Sequence, residues 1–144
     1  MKINLIVYFF SNFYMLVFGL IFILPLFYSS KEEYDKVKKI IFGNKLHTYI
    51  GFFGIVLAAL VILFPMPSLP KTDSIIILGD FIPSVVILII SITLIFGFIR
   101  NSKILSPQLI KKGDDILTSF QIPIGIISII VCAIHIVAPE AILI

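Results

Sequence analysis

Charge is in short supply in this chain. Asp, Glu, Lys and Arg make up 13% of its 144 residues, about half the ~25% of an ordinary soluble domain and too little to wet a globular surface. Tryptophan is absent, and Arg100 is the single arginine beside ten lysines. One cysteine, Cys132, excludes an internal disulfide and a thiolate metal cage. Hydrophobic residues reach 60%, which removes a disordered chain and a nucleic-acid module from consideration. The 32 isoleucines and the lysine bias suit an AT-rich bacterial coding sequence.

The few charges are segregated. Four stretches hold no Asp, Glu, Lys or Arg: Ile3–Ser30, Leu46–Pro70, Phe81–Ile99 and Ile116–Pro139, of 28, 25, 19 and 24 residues. Each is near or above the ~18 residues that cross a ~30 Å hydrocarbon slab. Lipid offers no hydrogen-bond partner to the backbone, so each span must close its own bonds as a helix. The expectation is an all-α polytopic membrane protein: one four-helix domain over residues 1–144, with spans at about 4–28, 46–65, 80–100 and 116–139. The first span is expected to be retained rather than cleaved. Its apolar run is too long for a signal peptide, holds Ser11 and Asn12, ends without a small-residue cleavage site and runs into lysines.

Orientation follows from where the basic residues fall. Loop 31–45 holds Lys31, Lys36, Lys38, Lys39 and Lys45, and loop 100–115 holds Arg100, Lys103, Lys111 and Lys112. That puts nine of eleven basic residues on one side, which the positive-inside rule makes cytoplasmic. Both termini and the 66–80 loop are then outside, in a cell membrane that the composition suggests is a bacterial cytoplasmic one. The first loop reads as a helical extension ending at Gly43-Asn44. Pro65, Pro67 and Pro70 end the second span. Asp80, three residues before Pro83, is expected to cap the third. Tyr28 and Tyr49 are expected as interface anchors, and His47 as an interfacial residue at the inner end of the second span.

A shift of 74 residues overlays part of the chain on itself. Residues 50–65 and 124–139 are identical at six of sixteen positions, including Gly51/Gly125, Ala59/Ala133 and Pro65/Pro139. The same offset carries Leu20-Ile21-Phe22 onto Leu94-Ile95-Phe96. A repeated two-helix hairpin is expected, and because two spans return the chain to its starting side, the halves run parallel. Gly51, Gly54 and Ala58 form a small-residue stripe on the second span, and Gly125, Ser128 and Cys132 the matching stripe on the fourth. Between helices in lipid, small residues permit close backbone approach. The two stripes are expected to meet each other at the bundle centre.

His135 continues the stripe of the fourth span, where the overlaid position is Val61. An ionisable group inside a span marks a candidate site. Asp80, Ser84 and Ser91 share one face of the third span, and in the deduced orientation Asp80, Ser84, His135 and Glu140 fall near the outer surface. Asn4, Ser11 and Asn12 lie where they can join that cluster. The structural alternatives are a helix cap for Asp80, back-bonding for the serines, a helix-bridging hydrogen bond for His135 and a solvated end for Glu140. No catalytic spacing or nucleophile elbow is present, so chemistry is not expected. Cys132 and His135 offer two metal ligands where a structural zinc takes four. His47 and His135 are too far apart in depth to share a haem, since His47 lies level with Gln121, fourteen residues or roughly 21 Å along the helix. No cofactor and no metal are expected. The partners expected are the lipid bilayer and either other membrane subunits or a second copy, without nucleic acid. The function expected is that of an accessory, scaffold or assembly subunit. The alternative is a small oligomeric transporter or channel with an outer site around His135 and Asp80.

Overall fold

The computed structural model describes residues 3–28, 30, 32–34, 36, 46–64, 77–101 and 105–137. These residues are helical, without strands among them: α1 (Ile3–Ile23), a 3-10 turn (Leu24–Phe27), α2 (Leu46–Leu63), α3 (Ile77–Asn101) and α4 (Pro107–Val137). Three stretches are long and apolar enough to cross a membrane, Ile3–Phe27, Leu46–Leu63 and Pro107–Val137, beside a shorter apolar segment, Asp80–Phe96.

Local chemistry sets the helix ends. Pro25 enters the 3-10 turn that follows α1, where its missing N–H ends the i→i−4 ladder. Two starts differ from the expectation. α3 begins at Ile77, so Asp80 lies inside its first turn rather than capping it. α4 begins at Pro107, nine residues before the apolar run, which narrows the connection expected at 100–115. The reason is a cap: Ser106 accepts the Leu109 N–H on its Oγ at 3.5 Å and the Ile110 N–H on its carbonyl at 3.0 Å, and Pro107 supplies a preset first-turn φ. Charged residues end an apolar stretch without ending a helix. In the first loop, Ser30 Oγ accepts the Glu33 N–H at 3.2 Å and residues 32–34 are helical. Gly43 and Asn44 lie outside the described residues, as do Pro65, Pro67, Pro70, Pro139 and Glu140.

Each helix buries one stripe. On α1 it is Val7, Ser11, Tyr14, Met15, Phe18 and Phe22, three or four residues apart. α2 buries His47, Gly51, Gly54, Ala58 and Val61, and α4 buries Gln121, Gly125, Ser128, Cys132 and His135. Each of these α4 positions lies 74 residues beyond its α2 counterpart. His47 is enclosed by protein, while Tyr49 is exposed. The opposite faces carry large apolar side chains, among them Phe9, Phe13, Phe53, Val56, Ile127 and Ile130. So much exposed apolar surface is foreign to a soluble monomer.

The stripes do not face one another. The main pairings are α2 with α3 and α1 with α4. A methyl group on Gly51 would lie 2.6 Å from Ile95 Cγ1 and 3.0 Å from the Ser91 carbonyl, both on α3. One on Gly125 would lie 2.9 Å from the Gly19 carbonyl on α1. Gly19 is the reason for the second pairing: glycine opposite glycine lets the α1 and α4 backbones touch.

Candidate functional site

Polar side chains of the buried stripes are spent on neighbouring helices. Ser128 Oγ donates to the Met15 carbonyl at 2.8 Å, and Cys132 Sγ to the Asn12 carbonyl at 3.3 Å, both joining α4 to α1. Ser84 Oγ donates to the Ala58 carbonyl at 2.9 Å, joining α3 to α2. Ser91 Oγ returns to the Ile87 carbonyl at 2.6 Å and pairs with Tyr14 Oη at 3.1 Å. Near the other end, Gln121 Nε2 donates to the Phe22 carbonyl at 3.4 Å and Gln121 Oε1 accepts the Tyr34 hydroxyl at 3.1 Å. The Tyr28 ring lies tilted beside that of Tyr34, with ring centroids 6.4 Å apart. Among the described residues every buried side-chain nitrogen and oxygen has a partner.

At the opposite end these bonds converge on His135. Its Nδ1 lies 3.2 Å from Asn12 Oδ1 on α1, and its Nε2 lies 3.2 Å from Asp80 Oδ1 on α3. The ring is 4% exposed and the Asp80 side chain 9%. Tyr8 closes the cluster: its hydroxyl donates to the His135 carbonyl at 2.5 Å, and its ring centroid is 4.8 Å from the imidazole. Asn12 is held in turn, its Nδ2 donating to the Tyr8 carbonyl at 3.0 Å. Three helices thus meet at one side chain.

A small cleft opens on the cluster, lined by Asn4, Val7, Tyr8, Ser11, Val61, Phe64, Asp80 and His135. It leaves about 10 Å³ for the centre of a water-sized sphere, roughly what one water needs. Among the described residues no three of His, Cys, Asp and Glu converge as metal ligands would.

Of the four residues expected to gather, the structure brings His135 and Asp80 into contact. Ser84 is buried on the same face of α3 but bonds to α2, and Glu140 lies outside the described residues. Asn12, expected at the edge, sits at the centre. Tyr8 and Tyr14 were missed as polar anchors. Their signal was periodicity, because Tyr14 falls on the buried stripe of α1 with Val7, Ser11 and Phe18.

Fold and cluster define an all-helical protein, compatible with a membrane, whose internal polar groups join helices to one another. The chain belongs to a protein family defined by a domain of unknown function, whose profile matches residues 5–135. No curated protein and no solved structure matches the chain.

Proposed function

We propose that the chain is a four-span integral membrane protein that serves as an accessory, scaffold or assembly subunit. In this reading α1 to α4 form a bundle in a cell membrane, a bacterial cytoplasmic one by composition. Both termini lie outside, and the segments 31–45 and 100–115 lie inside with most of the basic residues. The partners are lipid together with other membrane subunits or a second copy.

The observation that carries the reading is the fate of the polar groups. A transporter keeps polar side chains facing a pathway, whereas here every buried side-chain nitrogen and oxygen among the described residues has a partner, several of them on a neighbouring helix. The exposed faces of α1, α2 and the part of α4 beyond Ser119 are apolar, as a surface covered by lipid and partner helices must be. The packing also supports a parallel two-fold repeat. A 74-residue offset relates five of the six buried positions of α2, all but Leu57, to the buried stripe of α4, and it exchanges the α1–α4 pair with the α3–α2 pair.

The second reading, a small oligomeric transporter or channel, draws on the cleft at His135 and Asp80. Its size weighs against any cargo larger than water or a proton. The deciding measurement is the mass of the tagged full-length protein in mild detergent or native nanodiscs. Defined hetero- or homo-oligomers are expected. A strictly monomeric, partner-free protein overturns the assembly role.

A further inference from the structure

The hydrogen bonds around His135 fix a proton count. Asn12 Nδ2 donates to the Tyr8 carbonyl at 3.0 Å, so the other end of the amide, Oδ1, faces His135. Turning the amide over would set Oδ1 against that carbonyl, two acceptors in contact. His135 Nδ1, 3.2 Å from Asn12 Oδ1, therefore carries a hydrogen and donates it. A neutral imidazole has only that one. Nε2 would then be a bare lone pair, yet it lies 3.2 Å from Asp80 Oδ1. Lone pair against carboxylate is repulsive. One further proton belongs between them, on Nε2 as an imidazolium–carboxylate pair or on Asp80 as a neutral acid.

We infer that His135 and Asp80 share one proton, and that this shared proton clamps α1, α3 and α4 together at the cleft end of the bundle. With its proton the pair has no net charge in either arrangement, as burial of both side chains demands. Among the described residues, every helix contributes to its surroundings. α1 presents Tyr8, Ser11 and Asn12, with Asn4 at the cleft. α2 presents the apolar Val61 and Phe64, α3 presents Asp80, and α4 carries Cys132 one turn before His135. Among these, Asp80 is the carboxylate and Tyr8 and Cys132 are the other titratable groups. The cleft leaves room for about one water. Without the shared proton the Asp80 carboxylate would face the Nε2 lone pair, and that contact between α3 and α4 would have to open.

The test is nitrogen-15 NMR of the histidine rings in the full-length protein in nanodiscs, with the Asp80 carboxyl followed by its carbon-13 shift. His47→Gln or His135→Gln, whichever folds, assigns the two histidines. At pH 7 the expected result is a protonated Nδ1 and one more proton, on Nε2 or on Asp80; either placement supports the site. In Asp80→Asn, whose amide can donate to a bare Nε2, the second proton should be missing at pH 7. An unprotonated Nδ1 in the wild-type protein overturns the inference. So does a bare Nε2 beside an ionised Asp80 at pH 7. Both of these outcomes are measured on the wild-type protein and do not require the Asp80 variant to fold.

Discussion

Gly125→Val tests the α1–α4 contact most directly. The first atom added, Cβ, would sit 2.9 Å from the Gly19 carbonyl, 2.8 Å from Ile23 Cγ2 and 2.9 Å from Phe22 Cβ. A carbonyl fixed in a helix cannot turn aside, so the helices must part by about half an ångström to restore ordinary contact. A gap of that size forfeits about a quarter of the dispersion energy across it. It also stretches the bonds from Ser128 to the Met15 carbonyl and from Cys132 to the Asn12 carbonyl. Overpacking of this kind costs about 1–3 kcal/mol. Against it stands the gain from removing a helical glycine, about 1 kcal/mol for alanine and less for valine. We expect Gly125→Ala to lose about 1 kcal/mol and Gly125→Val about 2 kcal/mol. Cys132 supplies the assay. It is buried on the same interface and is the only cysteine in the chain, so a thiol reagent reports separation of α1 from α4. Labelling should be slow in the wild type, faster in the alanine variant and fastest in the valine variant. Helix propensity alone orders the stabilities alanine, valine, glycine. Finding that order, with labelling slowest in Gly125→Ala, would refute close backbone approach as the basis of the pairing.

Further expectations concern other contacts. Gly19→Ala combined with Gly125→Ala should cost less than the sum of the single changes, because one separation of the helices serves both methyl groups; unfolding in mixed micelles measures it. Ser84→Ala removes the bond to the Ala58 carbonyl and should cost about 0.6 kcal/mol, typical of such bonds between membrane helices. Tyr14→Phe removes the contacts to Ser91 and to the Ile50 carbonyl and should cost about twice that, with unchanged helix content by circular dichroism. Lys111 and Lys112, exposed on the first turns of α4, should react with a membrane-impermeant amine reagent in inverted vesicles but not in intact cells. Labelling from outside overturns the proposed orientation.

The helices were legible because a long uncharged apolar run has few other outcomes. Which helix meets which was not. The spacing of Gly51, Gly54 and Ala58 defines a face, and a face carries no label for its neighbour. The answer lay in Gly19, a lone glycine in an aromatic-rich segment that gave no stripe of its own. His135 and Asp80 stood out as the ionisable groups at one depth. Asn12 and Tyr8 did not, because an amide and a phenol near a chain end resemble ordinary interfacial residues. The start of α4 was readable at Ser106-Pro107, a cap followed by a first-turn proline, but the charges at Lys111, Lys112, Asp114 and Asp115 drew attention to where the apolar run began.

The length of α4 has a mechanical consequence. Its 31 residues span roughly 46 Å at 1.5 Å each, against a hydrocarbon layer of ~30 Å. About three turns therefore overhang the slab in the proposed arrangement. They are braced where the Phe96 ring of α3 lies over Gly113, so that a methyl group there would have to push the ring aside. Lysines and aspartates on this overhang ride among the lipid headgroups, with Leu109 and Ile116 facing outward beside them. A thicker bilayer can climb the rod and a thinner one recede from it, leaving the helix contacts below undisturbed.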